Sequence, residues 1–188
     1  SGWEQQSRRH IGTLVHQILE QITRQGGSAW PTVGADRDQM LGRQLAGLGV
    51  PGHELNAALG RIRDAVDQTL ASSRGQWILG PQAEGACELE LSGIIDGQVV
   101  RAVIDRTFVD NAGIRWVIDY KTSTPQATES LADFVQRETE HYRQQLAGYS
   151  QLLAAMEPER AIRSALYFPL IDHFVEMVAS SSPIWLGS

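Results

Sequence analysis

The sequence predicts an α+β fold on three observations. Through its first third the chain repeats apolar residues at the three-and-four spacing of helices. After Gly80-Pro81 the period falls to two, as in strands. Helical spacing then returns over residues 130–156, followed by two short β-rich runs, so the order is ααα-βββ-α-ββ. At 188 residues the expectation is one domain over 1–188, with a helical section at about 3–75 and a core at about 84–178.

Each element has a local reason. Ile11, Leu14, Val15, Ile18, Leu19 and Ile22 form one stripe on a helix over 3–24, which Gly26-Gly27-Ser28 ends. Helices are expected over 36–48 and 52–73, divided by Gly49-Val50-Pro51-Gly52. Residues 86–91, 99–109 and 114–120 read as consecutive antiparallel strands joined by Gly-containing turns, and 164–168 and 174–178 as final strands.

Composition excludes several classes. With 42% hydrophobic and 20% charged residues the chain can build a core. No apolar run approaches the ~20 residues of a membrane span, and no leader pattern opens the sequence, so a cytoplasmic protein is expected. One cysteine, Cys87, rules out an internal disulfide and a cysteine-held cluster, leaving oxygen and imidazole as metal ligands. Lys121 is the sole lysine and follows no Gly-rich stretch, which excludes a Walker A loop. A net charge of −6 argues against an extended nucleic-acid coat but not against a local cationic groove. The opening Ser1-Gly2 suggests a piece of a longer protein.

The chemistry concentrates in residues 101–121. If Asn111-Ala112-Gly113 form a three-residue hairpin loop, Asp110 pairs with Ile114 and Asp105 falls opposite Asp119. Opposed Cβ atoms lie ~4.5–5.5 Å apart, and like charges there are destabilising without a cation between them. Two hard carboxylates suit Mg²⁺ or Mn²⁺. Lys121, two residues from Asp119 on the same face, adds an ammonium able to neutralise a phosphate under attack. The competing reading is a solvated acidic face with a surface ion pair. Against it, Val-Ile-Asp105 and Trp-Val-Ile-Asp119 put both acids at the ends of apolar strands, where unbalanced charge is costly.

Five ordered elements, Gly12-Thr-Leu-Val-His16, Glu88, Val-Ile-Asp105-Arg106, Ile-Asp119-Tyr-Lys121-Thr122 and Gln145-Leu-Ala-Gly-Tyr149, resemble the RecB-type nuclease domain of the PD-(D/E)xK superfamily, as found at the C-terminal end of UvrD/AddA/RecB-class helicases. The resemblance runs from about residue 8 to 178. It implies a restriction-endonuclease-like core, a mixed central sheet flanked by helices, and Mg²⁺-dependent (or Mn²⁺-dependent) deoxyribonuclease activity. It assigns His16, Asp105, Asp119 and the Tyr120 carbonyl as metal ligands, with Lys121 catalytic. Glu88 becomes an acid of the catalytic set, and Gln145 and Tyr149 support the site and contact DNA. The implied partners are DNA, as an end or single strand, and the helicase motor of a parent chain, in repair or recombination. The alternative is an inactive module of the same fold that binds DNA or docks a subunit.

The residues themselves leave questions open. His16 lies about 130° from the centre of its helix's apolar stripe, so it is either an exposed bystander or a ligand. Gly12, one turn earlier, permits the close approach a ligand would need. Gln145 and Tyr149 share a helix face, which also fits a Tyr149 packed in the core. Glu88 and Glu90 share a strand face, with Glu88 preferred. Trp116 is expected in the core, and Arg106 points away from Asp105. Arg137, Tyr142 and Arg143 are either a solvated helix face or the lining of a strand groove.

Overall fold

The structure, a computed structural model, describes residues 2–31 and 34–178. Three helices open it: α1 (Gly2–Gln25), α2 (Ala35–Gly47) and α3 (Leu55–Ala71). A short α4 (Ser73–Leu79) leads into the β1 (Ala83–Ile95) and β2 (Gln98–Val109) hairpin and then β3 (Arg115–Tyr120). The long α5 (Leu131–Met156), N-capped by the Ser130 hydroxyl, crosses over to β4 (Ile162–Phe168) and β5 (His173–Met177). The five strands form one mixed sheet in sequence order, parallel only between β3 and β4.

Two apolar clusters hold helices to opposite faces of this sheet. On one face the predicted α1 stripe packs with Ile62, Val66 and Ile78 against Phe108, Trp116, Ile118 and Tyr120. On the other, Phe134, Leu146 and Leu153 of α5 pack on Ile104, Val117, Leu166 and Phe168. Burying each such side chain contributes ~1.5–3 kcal/mol, so both layers are well anchored. All six residues of β3 are buried as a consequence.

The β2–β3 turn fixes the register. Asp110 Oδ1 accepts from the amides of Ala112 and Ile114, Oδ2 accepts from the Trp116 indole N–H, and Gly113 adopts φ 81°. Asp110 N–H donates to the Ile114 carbonyl, as the three-residue loop requires. Val109 then pairs with Arg115 and Arg106 with Ile118, which brings Asp105 beside Asp119 one step further on.

Two expectations need correction. The strand expected over 86–91 runs from Ala83 to Ile95, because Gly93 is no turn. A Cβ there would lie 2.7 Å from Leu152 Cδ2, so glycine admits α5 against the strand. The actual turn is Asp96-Gly97, with φ of 51° and 77°. The helix expected over 52–73 is a 3₁₀ turn plus α3, and the helical section continues past 75 as α4. Ser72 leaves helical geometry and its hydroxyl accepts from Gly75 N–H at 2.9 Å. Arg106, buried and facing away from Asp105 as expected, donates to the Ile78 and Gly80 carbonyls at the end of α4.

The α3–α4 corner yields a prediction with a sign opposite to helix propensity. A Cβ on Gly75 would lie 1.8 Å from the Thr69 carbonyl oxygen. Gly75→Ala is therefore expected to destabilise the chain by ~1–3 kcal/mol, although Ala is the better helix former. A urea midpoint equal to or above that of the wild type would show that the corner relaxes freely.

Candidate active site

Three elements meet at the C-terminal end of β3. Asp105 comes from β2, Asp119 and Lys121 from the end of β3 and its continuation, and His16 from α1. Gly12 makes the α1 contact possible, since a Cβ there would sit 2.6 Å from Thr122 Oγ1. His16 Nδ1–H donates to the Gly12 carbonyl at 2.9 Å, a contact in which the carbonyl can only accept. With Nδ1–H so engaged, Nε2 faces the site 3.3 Å from Asp105 Oδ2, where the protonated ring donates to the carboxylate and only the deprotonated ring would offer a lone pair. His16 is half-buried and lies against Asp105 rather than in open solvent.

The two acids are close enough to hydrogen-bond to one another. Asp105 Oδ2 also accepts from Tyr120 N–H at 2.7 Å. Asp119 is 5% exposed, and its Oδ2 lies 2.7 Å from Lys121 Nζ. That ion pair misses hydrogen-bond direction, so the buried Oδ2 has no hydrogen-bond partner among the described residues. Burial first, and then the charge of Asp105, raises the Asp119 pKa. Burial also opposes ionisation of Asp105, but hydrogen bonds from His16 and Asp119 prevail and hold it low. Burial alone would lower the pKa of His16; the hydrogen bond and charge of Asp105 outweigh it and lift it to about 9.

Lys121 is held on three sides. Asp119 is the first contact; Lys121 Nζ also donates to Gln145 Oε1 at 3.4 Å, and the Tyr142 ring centroid lies 3.8 Å away. Burial disfavours its charge, yet Asp119 overrides that and raises its pKa. Gln145 Nε2 donates to Tyr149 Oη at 2.8 Å, which turns the amide oxygen toward the lysine. The motif spacing on α5 thus orders Tyr149, Gln145 and Lys121 in a chain of contacts. Tyr149 is half-buried, its ring packing beside the α5 core cluster while its hydroxyl accepts from Gln145.

These groups line a cleft of about 500 Å³ with Arg8, Arg9, Thr122 and Ser123. A second cavity adjoins it at Arg9, His16, Val103, Asp105 and Thr122, and carries Glu20 and Glu88 on its far wall. Glu88 rather than Glu90 lines this second cavity. It adopts φ 49°, a strained conformation for a non-glycine residue, and burial first, then the charge of Asp105, raises its pKa.

Arg8, Arg9 and Ser123 were not singled out by the sequence reading. The signal available was α1 spacing, as Arg9 lies two turns from His16 on the same helix face. Of the three α5 residues considered for a strand groove, only Tyr142 lines the cleft. Arg137 pairs with Glu129 and Glu138, and Arg143 pairs with Glu140 and lines a separate groove beside β4 and β5.

The donor set fits a hard divalent cation: two carboxylates, one of them with a buried unsatisfied oxygen, and an imidazole nitrogen oriented by its other hydrogen bond. In the described arrangement no three His, Cys, Asp or Glu side chains converge as a formed metal site among the described residues. Lys121 and His16 supply the positive charge beside the acids instead.

A mixed sheet between helical layers, with Asp105, Asp119 and Lys121 at one strand end, defines a nuclease-type hydrolase class. The model of the PD-(D/E)XK nuclease superfamily matches residues 3–181, and the chain belongs to that superfamily. No curated protein matches it. No helix among the described residues is long and apolar enough to cross a membrane.

The strain of the acid pair is directly measurable. In chelator-treated protein above pH 7, where Asp119 is ionised, Asp119→Asn removes the buried charge beside Asp105 and is expected to raise stability by ~1–2 kcal/mol. Added Mn²⁺ is expected to raise the wild-type melting temperature and to leave the variant's nearly unchanged. A less stable Asn variant without metal would show that the acids do not repel.

Proposed function

We propose that the chain is a divalent-cation-dependent deoxyribonuclease, acting exonucleolytically on a DNA end or single strand in the cytosol. The observation that carries this reading is the Asp105–Asp119 pair, one partly and one fully buried, with Lys121 at 2.7 Å from Asp119 and His16 at 3.3 Å from Asp105. A solvated acidic surface would leave such acids exposed. The net charge of −6 fits a nuclease joined to a helicase motor, which would supply DNA at high effective concentration in repair or recombination.

Asp105, Asp119, His16 Nε2 and the Tyr120 carbonyl would hold the cation. When bound, Mg²⁺ or Mn²⁺ would lower the pKa of a water and screen phosphate charge. Glu88 borders the Asp105 side of the site, where it would adjust the charge around that carboxylate. Lys121, its ammonium steadied by Asp119 and Gln145, would donate to a non-bridging phosphate oxygen as negative charge builds there. Water oxygen bonds to phosphorus while the bond to the 3′ oxygen breaks, leaving a 5′-phosphate and a 3′-hydroxyl. Arg8 and Arg9 would grip flanking phosphates, and Tyr149 would keep the Gln145 amide turned inward.

Lys121→Ala is expected to lower the cleavage rate ~100- to 1,000-fold while Mn²⁺ binding by calorimetry stays largely intact. Wild-type cleavage by this variant, or no Mn²⁺ heat from the unaltered chain, would instead favour an inactive module that binds DNA or docks a subunit. Arg9→Ala is expected to weaken binding of single-stranded DNA of any sequence and to reduce the salt slope by ~1. An unchanged slope in a filter-binding salt titration would remove Arg9 from the DNA path.

A further inference from the structure

We propose that Tyr142 is a positioning residue for Lys121, its ring face covering the ammonium at 3.8 Å beside the contacts made by Asp119 and Gln145. The inference rests on the nuclease reading above and adds to it a residue outside the Gln145-x-x-x-Tyr149 motif.

The geometry begins with α5. Tyr142, Gln145 and Tyr149 are three and then four residues apart, so they project from one helix face. Tyr142 and Tyr149 both pack against the apolar cluster beneath α5, and the His141 ring meets Tyr142 edge-on with centroids 4.5 Å apart. The ring is thus fixed by the core rather than by the lysine it covers.

Lysine is poorly suited to precise placement, because its charge rides on four rotatable carbons. Asp119 and Gln145 restrain the ammonium through oxygen acceptors. An aromatic face attracts a cation through its quadrupole without a lone pair that saturates an N–H. Tyr142 therefore narrows the positions open to Nζ and still leaves a donor for a phosphate oxygen. An acidic or amide side chain in its place would compete with the substrate for that donor. Tyr142 also lines the cleft with Asp105, Asp119 and Lys121, so its ring belongs to the same wall as the groups it would steady.

The sole lysine makes the contact readable by itself. Protein labelled with [¹³C]lysine is expected to give a single side-chain Hε/Cε cross-peak, moved upfield by the Tyr142 ring current. Tyr142→Phe keeps the ring and is expected to retain that shift, with kcat on single-stranded DNA within about twofold of wild type. Tyr142→Leu is expected to return the peak to the position of a solvated lysine and to lower kcat roughly 2- to 30-fold, with KM and Mn²⁺ affinity unchanged. A Leu variant with wild-type kcat overturns the proposal. So does a Phe variant as impaired as Leu, which would assign the effect to the hydroxyl, or a loss in KM alone, which would make the ring a contact for a DNA base. A shifted lysine peak in a wild-type chain that cuts no DNA defeats the nuclease reading and this role with it, a result distinct from loss confined to the variants.

Discussion

Two negative charges forced together inside the protein set the terms for this end of the sheet. The Asp110–Gly113 turn fixes the β2–β3 register, and that register places Asp105 beside Asp119 where both are largely withdrawn from water. Such a pair is tolerated only with positive charge or donors within reach. The surroundings supply these: Tyr120 N–H and His16 at Asp105, Lys121 at Asp119. Gly12 belongs to the same solution, since any side chain there would push α1, and His16 with it, away from the strand end.

Much of this was legible in the sequence, for a physical reason. Period-two alternation and a turn whose loop length is readable fix which residues oppose one another, so the neighbouring acids followed from Asp110, Gly113 and a count along two strands. The α1 stripe was equally plain, and every residue assigned to it is buried. The match over residues 3–181 agrees, at the level of the superfamily, with the resemblance drawn from five short elements.

The unread features depend on contacts between distant segments. Gly93 carries the signal of a turn, yet it lies inside β1 because Leu152, 59 positions later, needs the space. The α3–α4 corner is hidden because apolar spacing continues across Ser72, while the break is made by a hydroxyl cap and by Arg106 reaching back to α4. Arg8 and Arg9 look like any exposed pair on a helix until α1 is docked. Tyr142 falls one turn outside the spacing that identifies Gln145 and Tyr149, so its place over Lys121 needed the crossing of α5 with β3.

The charge balance of the cluster links its resting state to its proposed chemistry. Burial and the charge of Asp105 raise the Asp119 pKa to about 7, so near neutrality one full carboxylate and a second on the edge of ionisation face protonated His16 and Lys121, and the raised pKa of His16 keeps its proton in place. An imidazole that serves as a metal ligand must first give the proton up. In the proposed function, exchanging it for a divalent cation would leave two carboxylates against three positive charges, an excess of one unit. A phosphodiester carries one negative charge. Under the proposed function the cluster would therefore attract the substrate's phosphate more strongly once the cation enters, coupling strand binding to metal binding.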